Sequence, residues 1–284
     1  MTAEALLTNE PIIRLSAFFG IFAIMAGWEL VAPRRALTVS KALRWFSNLG
    51  IVVLNTVIAR VVLPMAPVAF AGYCAANGWG VFNLVDAPWW LEVLAAIVIM
   101  DFAIWLQHVM VHAIPVLWRL HRLHHTDLDY DVTTGARFHP IEILLSLGIK
   151  FAVIALIGAS PVAVLLFEVI LNAMAMFNHA NVRLPLGLDA VLRTLVVTPD
   201  FHRVHHSVLP HETNSNFGFN LSIWDRLFGT YQAQPEGGHE GMTIGLDIFR
   251  DPVEERLDKL ITQPFRDAFG TGGYTINRRD WPKK

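Results

Sequence analysis

Apolar residues in this chain gather into long blocks, and their lengths suit membrane spans better than the strands or amphipathic helices of a soluble core. The first block, residues 15–31, follows Arg14 and precedes Pro33-Arg34-Arg35. Its paired basic residues, Arg34 and Arg35, come after the apolar run and no small-residue cleavage site follows, so it reads as a retained anchor rather than a signal peptide. A second block, 45–71, is interrupted by Arg60, Pro64 and Pro67 and predicts a kinked or broken helix. The third runs over 89–111. The fourth and fifth, 141–158 and 162–177, flank Gly158-Ala159-Ser160-Pro161 and read as a helical hairpin.

Polar residues inside these blocks carry the next inference. At about 100° per residue, Asp101, Trp105, His108 and His112 fall on one stripe of the third span, which predicts an interior seam. A structural alternative pairs Asp101 with Arg60. Lys150 and Glu168 lie equally far from the hairpin turn, so antiparallel packing predicts a neutralising pair at one depth.

Loop charges predict sidedness. Arg34, Arg35, Lys41 and Arg44 crowd the first connection without an acid, whereas residues 72–92 contain Asp86 and Glu92 but no Lys or Arg. The first loop is therefore expected to be cytoplasmic. Five crossings then bring residues 112–140 and everything after 178 to the cytoplasmic side. The reading is an all-α membrane bundle of about five spans carrying a cytoplasmic, histidine-rich cap. Residues 1–284 form a single membrane-embedded domain in this reading, with 232–284 as a cytoplasmic tail.

Composition supports the bilayer reading. Of 284 residues, 54% are hydrophobic and only 16% charged, against about 25% charged in an ordinary soluble domain, and mean hydropathy is +0.45. A net charge of −2 offers no basic field for nucleic acid. The single cysteine, Cys74, excludes an internal disulfide or a closed thiolate site, so any metal must be held by imidazole and carboxylate.

Twelve histidines stand against this low charge. His108-x-x-x-His112, His121-x-x-His124-His125 and His202-x-x-His205-His206 have helical ligand spacing, each able to present two or three ring nitrogens to one point. His179, in Asn178-His179-Ala180-Asn181, ends the fifth span on the same side. Eight or nine imidazoles exceed the coordination of one ion and point to two. His211 and His239, in polar surroundings rich in Gly and Pro, read as surface residues. A transporter or storage protein would need ligands deep in the spans. A zinc hydrolase would need three ligands and an open water position.

These residues resemble the fatty acid hydroxylase and sterol desaturase superfamily of membrane di-iron oxygenases. The resemblance rests on Asp101 with His108-Val-Met-Val-His112, His121-Arg-Leu-His124-His125, Arg137-Phe-His139-Pro140, Asn178-His179-Ala180-Asn181, Thr198-Pro-Asp-Phe-His202-Arg-Val-His205-His206, Asn216-Phe217-Gly218 and Trp224-Asp-Arg-Leu-Phe-Gly-Thr-Tyr231. They fall in family order over about residues 101–231. Phe217 departs from the usual Asn-Tyr-Gly triplet. The resemblance implies His108, His112, His121, His124, His125, His179, His202, His205 and His206 as ligands of two irons. It implies O2 as co-substrate and a membrane lipid, whether fatty acyl, sterol or related isoprenoid, as the molecule hydroxylated or desaturated.

Asp101, Glu142 and Asp200 are candidates for orienting ligand rings. His139 is a ligand, a support for a ligand or a helix-start residue, with support favoured. No flavin, dinucleotide, haem or iron–sulfur motif is present, so electrons are expected from a separate donor: a ferredoxin, a cytochrome b5-like protein or an NAD(P)H reductase. Trp89, Trp90, Trp105 and Trp118 are placed either to line a lipid route or to form interfacial belts. Residues 252–269 read as one amphipathic helix, either lying on the membrane, capping the site or, as favoured, solvated at the surface. The competing function is a histidine-rich metal-binding or zinc-dependent membrane protein without oxygenase activity.

Overall fold

The computed structural model describes residues 2–266, and among these regular structure is helical. Five segments are long and apolar enough to cross a membrane: α1 (Glu10–Val31), the broken pair α2 (Lys41–Val62) and α3 (Pro67–Ala76), α4 (Trp89–Ala113), α6 (Pro140–Ile157) and α7 (Pro161–Asn178). Between α4 and α6 lies α5 (Pro115–His125). The second span breaks around Pro64 and Pro67, as the prolines require, since each removes a backbone donor.

Local chemistry sets the helix ends. Ser160 caps α7 by accepting from the Ala163 amide, with Pro161 at the first turn. Gly158 ends α6 at φ +72°, a left-handed conformation that favours glycine. The hairpin turn packs against Gly80, where a Cβ would stand 2.1 Å from the Gly158 nitrogen. Lys150 meets Glu168 at 2.7 Å across this hairpin, as equal depth predicted, and Arg14 of α1 joins the same carboxylate.

Burial is inverted relative to a soluble protein. The outward faces of α1 and α2 carry exposed Leu15, Phe19, Ile24, Val53 and Val61, whereas the buried face of α2 holds Arg44, Ser47, Asn48 and Asn55. This suits a bilayer, where apolar side chains face lipid and polar ones must find partners inside. An apolar core of Val68, Met100, Ile154, Val164 and Phe167 joins α3, α4, α6 and α7 away from the histidines.

At the histidine end, polar ties replace apolar packing. Arg44 reaches Asp127 and Asp131, each at 2.5 Å, and Asn48 donates to Thr133. Arg137 joins Glu255, and Asp129 accepts from the Thr38 and Val39 amides. Glu29 accepts from the amides of Val132 and Asn181, and Arg34 pairs with Asp200. The arginines that predicted sidedness are thus also structural ties to the cap. Residues 252–266 form three short pieces rather than one helix, among them α8 (Leu257–Thr262), whose Leu257 and Leu260 pack with Ile51 and Leu123. Arg256, in extended conformation, separates the first two pieces, and Pro264 interrupts any continuation of the second. Residues 267–269 of that expected helix lie outside the described residues.

Candidate metal centre

The four histidine motifs converge. Asp101, Trp105, His108 and His112 share the buried stripe of α4 that helical spacing predicted. α5 brings His121, His124 and His125; His179 follows the last turn of α7; α9 (Pro199–His205) brings His202 and His205, with His206 capping it. Gly135 permits the approach of His179, because a Cβ there would lie 3.0 Å from Nδ1 and 2.5 Å from the Ala175 carbonyl.

Nine imidazoles sort into two buried groups. One contains His108, His112, His121, His125 and His205; the other contains His124, His179, His202 and His206. Within each group one nitrogen per residue lies within 4.8 Å of all the others. An ion bound at about 2.1 Å places adjacent nitrogens about 3 Å apart and opposite ones about 4.2 Å apart. The Nε2 pairs His112–His125 and His124–His179 stand at 3.1 and 3.2 Å. Each group therefore has the dimensions to hold one ion.

The grouping cuts across the sequence motifs. Pairs four apart, 108/112, 121/125 and 202/206, share a group, while the intervening His124 and His205 each join the other. Each H-x-x-H-H triplet, read as able to present two or three nitrogens to one point, presents two to one group and the third to the other. The reason is angular: positions three and four apart on a helix differ by about 100°, enough to aim neighbours at different points. The groups abut, with the His125 and His206 rings stacked at 4.6 Å.

Hydrogen bonds select the tautomers. Nδ1–H of His108 donates to the Phe217 carbonyl at 2.8 Å, that of His205 to the Ser215 carbonyl at 2.7 Å, and that of His179 to the Ala175 carbonyl at 2.8 Å. His121 Nδ1 lies 2.6 Å from Glu142 Oε1. Nε2 of His108, His121 and His205 then carries a buried lone pair with no hydrogen-bond partner among the described residues. A metal ion is what such convergent lone pairs fit. Burial, reinforced by neighbouring imidazoles, holds His124, His125, His202, His205 and His206 well below the ordinary histidine pKa. Burial likewise pushes His179 down to about 3. These six rings are thus neutral at pH 7, the form that ligates metal.

Comparison with known proteins agrees with this geometry. The fatty acid hydroxylase family matches residues 93–230. Relatives include an ornithine lipid hydroxylase of Rhizobium tropici, 34% identical over 52% of this chain and 44% of that protein, and an alkylglycerol monooxygenase of Xenopus tropicalis, 30% identical over 73% and 46%. A methylsterol monooxygenase of Arabidopsis thaliana is 28% identical over 58% of this chain and 62% of that protein. Residues 93–230, just under half of the chain, are thus similar to the fatty acid hydroxylase/sterol desaturase superfamily. The chain spans under half the length of the first two relatives. No solved structure matches it.

Not every residue expected to support the ligands touches the nine histidines. Glu142 does. Asp101 instead accepts from Trp224 Nε1 at 2.8 Å and from the Leu221 amide at 3.2 Å, which replaces both the ring-orienting role and the pairing with Arg60. Asp200 is engaged by Arg34 and Arg203, with His239 at 3.6 Å. His139 caps α6, its Nδ1 accepting from the Ile141 amide, so the helix-start alternative describes it. His239 is buried rather than superficial, because the chain after Tyr231 folds back onto the cap; His211 is partly exposed beside Glu236.

Of the four tryptophans, Trp89 and Trp90 are exposed at the start of α4. Trp105 and Trp118 are buried, Trp118 packing 4.9 Å from the His112 ring. Phe217 fills the family's tyrosine position and lies against His108, His112 and His205. Sequence reasoning missed the acceptors that orient rings through backbone carbonyls, and it quoted Asp225 within a motif without assigning it a role. That carboxylate accepts from the Phe217 and Gly218 amides, Trp105 Nε1 and Thr230 Oγ1, and so fixes the loop whose carbonyl holds His108. It also missed the acids of Asp127-Leu-Asp-Tyr-Asp131, whose spacing in a chain poor in charge was the available signal.

Proposed function

We propose that this protein is a membrane-embedded oxygenase that hydroxylates or desaturates a lipid, with its metal centre on the cytoplasmic side. One observation carries the reading: two adjacent, buried, all-imidazole groups with oriented rings and unpartnered Nε2 atoms. Such a donor set suits iron, and two irons bound there would supply the O2 activation that an unactivated C–H bond demands. Nε2 of His108, His112, His121, His125 and His205 would hold one ion. His124, His179, His202 and His206 would hold the second.

The remaining work belongs to protein groups. Glu142 and the carbonyls of Phe217, Ser215 and Ala175 keep the Nδ1 protons in place, so that each ring presents a lone pair inward. Trp118, Phe138 and Phe217 wall the rings with apolar surface, which excludes water from the reacting region.

The lipid class is supported by relatives named for ornithine lipid, alkylglycerol and methylsterol. The substrate would enter from the bilayer, and a separate ferredoxin, cytochrome b5-like protein or reductase would bring electrons. Residues 1–284 would act as a single unit. Anaerobic purification with metal quantification tests the reading: two irons per chain are expected. Zinc retained as the sole functional metal would favour a zinc-dependent protein without oxygenase activity.

A further inference from the structure

The cap contains a segment in which the soluble pattern is reversed. Residues 185–195, which include a short helix, Leu186–Leu192, have Asp189 and Arg193 as their only charged side chains, both buried and paired with each other at 2.5 Å, Asp189 also accepting from Thr198. Its outward positions Leu186, Leu188, Val191 and Leu195 are 47–76% exposed. A second short helix, Ile223–Phe228, lies beside it, tied by Ser222 and Arg226 to the Arg193 carbonyl, and adds exposed Leu227 and Phe228. Neither helix is long enough to span a membrane.

Depth decides what this face meets. Helix α4 has 25 residues, about 37 Å at 1.5 Å per residue, and Asp101 is its midpoint. At that midpoint the Asp101 carboxylate takes the Leu221 amide and the Trp224 indole, while Phe228 stacks on Trp105 at 4.6 Å and lies 5.9 Å from Phe102. A hydrocarbon core is about 30 Å thick, so residues beside Asp101 sit well inside it. Irregular backbone at such depth must be satisfied internally. Here it is: Val197 donates to the Asn220 carbonyl, Ser222 to Leu195, and Leu221 to Asp101. Asp101 thereby has a role other than ring orientation, as the receptor for a re-entrant edge of the cap.

We propose that the face formed by Leu186, Leu188, Val191, Leu195, Leu227 and Phe228 lies in the acyl region of the leaflet on the histidine side. Its occupant is lipid, because Phe228 joins the face to Phe102 and Trp105 of α4, and the one exposed charge beside it, Arg226, is turned to the Arg193 carbonyl and the Tyr231 ring. This inference does not depend on the oxygenase reading.

The test places an environment-sensitive fluorophore at Leu188→Cys and, separately, Leu227→Cys in the full chain in nanodiscs. Native Cys74 is buried and stays unlabelled. Glu236→Cys, 62% exposed at its side chain, serves as the aqueous reference. Lipids brominated in the acyl chain should quench both test positions several-fold more than aqueous iodide does, with the reverse at 236. Iodide quenching at 188 and 227 equal to that at 236 would overturn the proposal. So would protection from both quenchers with cross-linking between copies, which would assign the face to a second chain. Two positions keep the test decisive if one variant misfolds.

Discussion

His205 and His206 are consecutive residues whose imidazoles serve different groups: His205 joins the cluster of five, and His206 the cluster of four. Replacing each singly by alanine should therefore remove different ions. Metal content is expected to fall from two equivalents towards one in either variant, and His206→Ala should leave the site containing His108 intact. Quantification by atomic emission, combined with spectra of a cobalt-substituted protein, distinguishes the two losses. A single ligand loss that empties both sites equally would contradict independent groups.

Glu142 orients His121 from 2.6 Å. Glu142→Gln keeps the shape but removes the charge that raises the basicity of the ring. Partners of this kind are worth about 10–100-fold in metal affinity. Metal titration with a competing chelator should show that weakening at the five-histidine site, with the four-histidine site unchanged.

Arg44 is fully buried between Asp127 and Asp131, with Asn48 and Arg137 joined to the same network. Arg44→Met leaves buried carboxylates uncompensated, a loss of about 3–5 kcal/mol. Unfolding in detergent should show it. The double variant with Asp127→Asn should recover part of that loss, because one of the stranded charges is gone.

His239 gives a pH prediction. Burial, against the attraction of Asp200 and reinforced by Arg203 and Arg34, lowers its pKa to about 3. In the unfolded chain it titrates near 6.5. The unfolded state then binds more protons between these values, so the contribution is complete above about pH 6.5 and is lost as pH falls towards 3. Over that window, His239→Gln should reduce the slope of stability against pH by about one proton, or about 1.4 kcal/mol per pH unit. Equal slopes in the two proteins would refute a neutral His239.

Much of this architecture was legible because lipid and metal each impose strong patterns. Blocks of apolar sequence marked the spans, Pro64 and Pro67 marked the break in the second, and the equal offsets of Lys150 and Glu168 foretold their contact. The nine histidines were legible as a set, but their division was not. That division depends on which way adjacent residues on α5 and α9 turn, and the turn is set by how those helices dock. The tie of Asp101 to Trp224 was equally hidden, since it joins residues 123 apart through a fold-back that hydropathy does not register. His239 looked superficial because polar neighbours surround it in sequence, whereas burial is decided by the chain that packs over it.

The central claim is tested most directly by oxygen consumption of the iron-loaded, chemically reduced full chain in nanodiscs, with and without added lipid extract. The account predicts lipid-stimulated uptake that tracks formation of an oxidised lipid and disappears in His205→Ala. Uptake indifferent to lipid, or a zinc-loaded protein that alone is functional and consumes no oxygen, would contradict it.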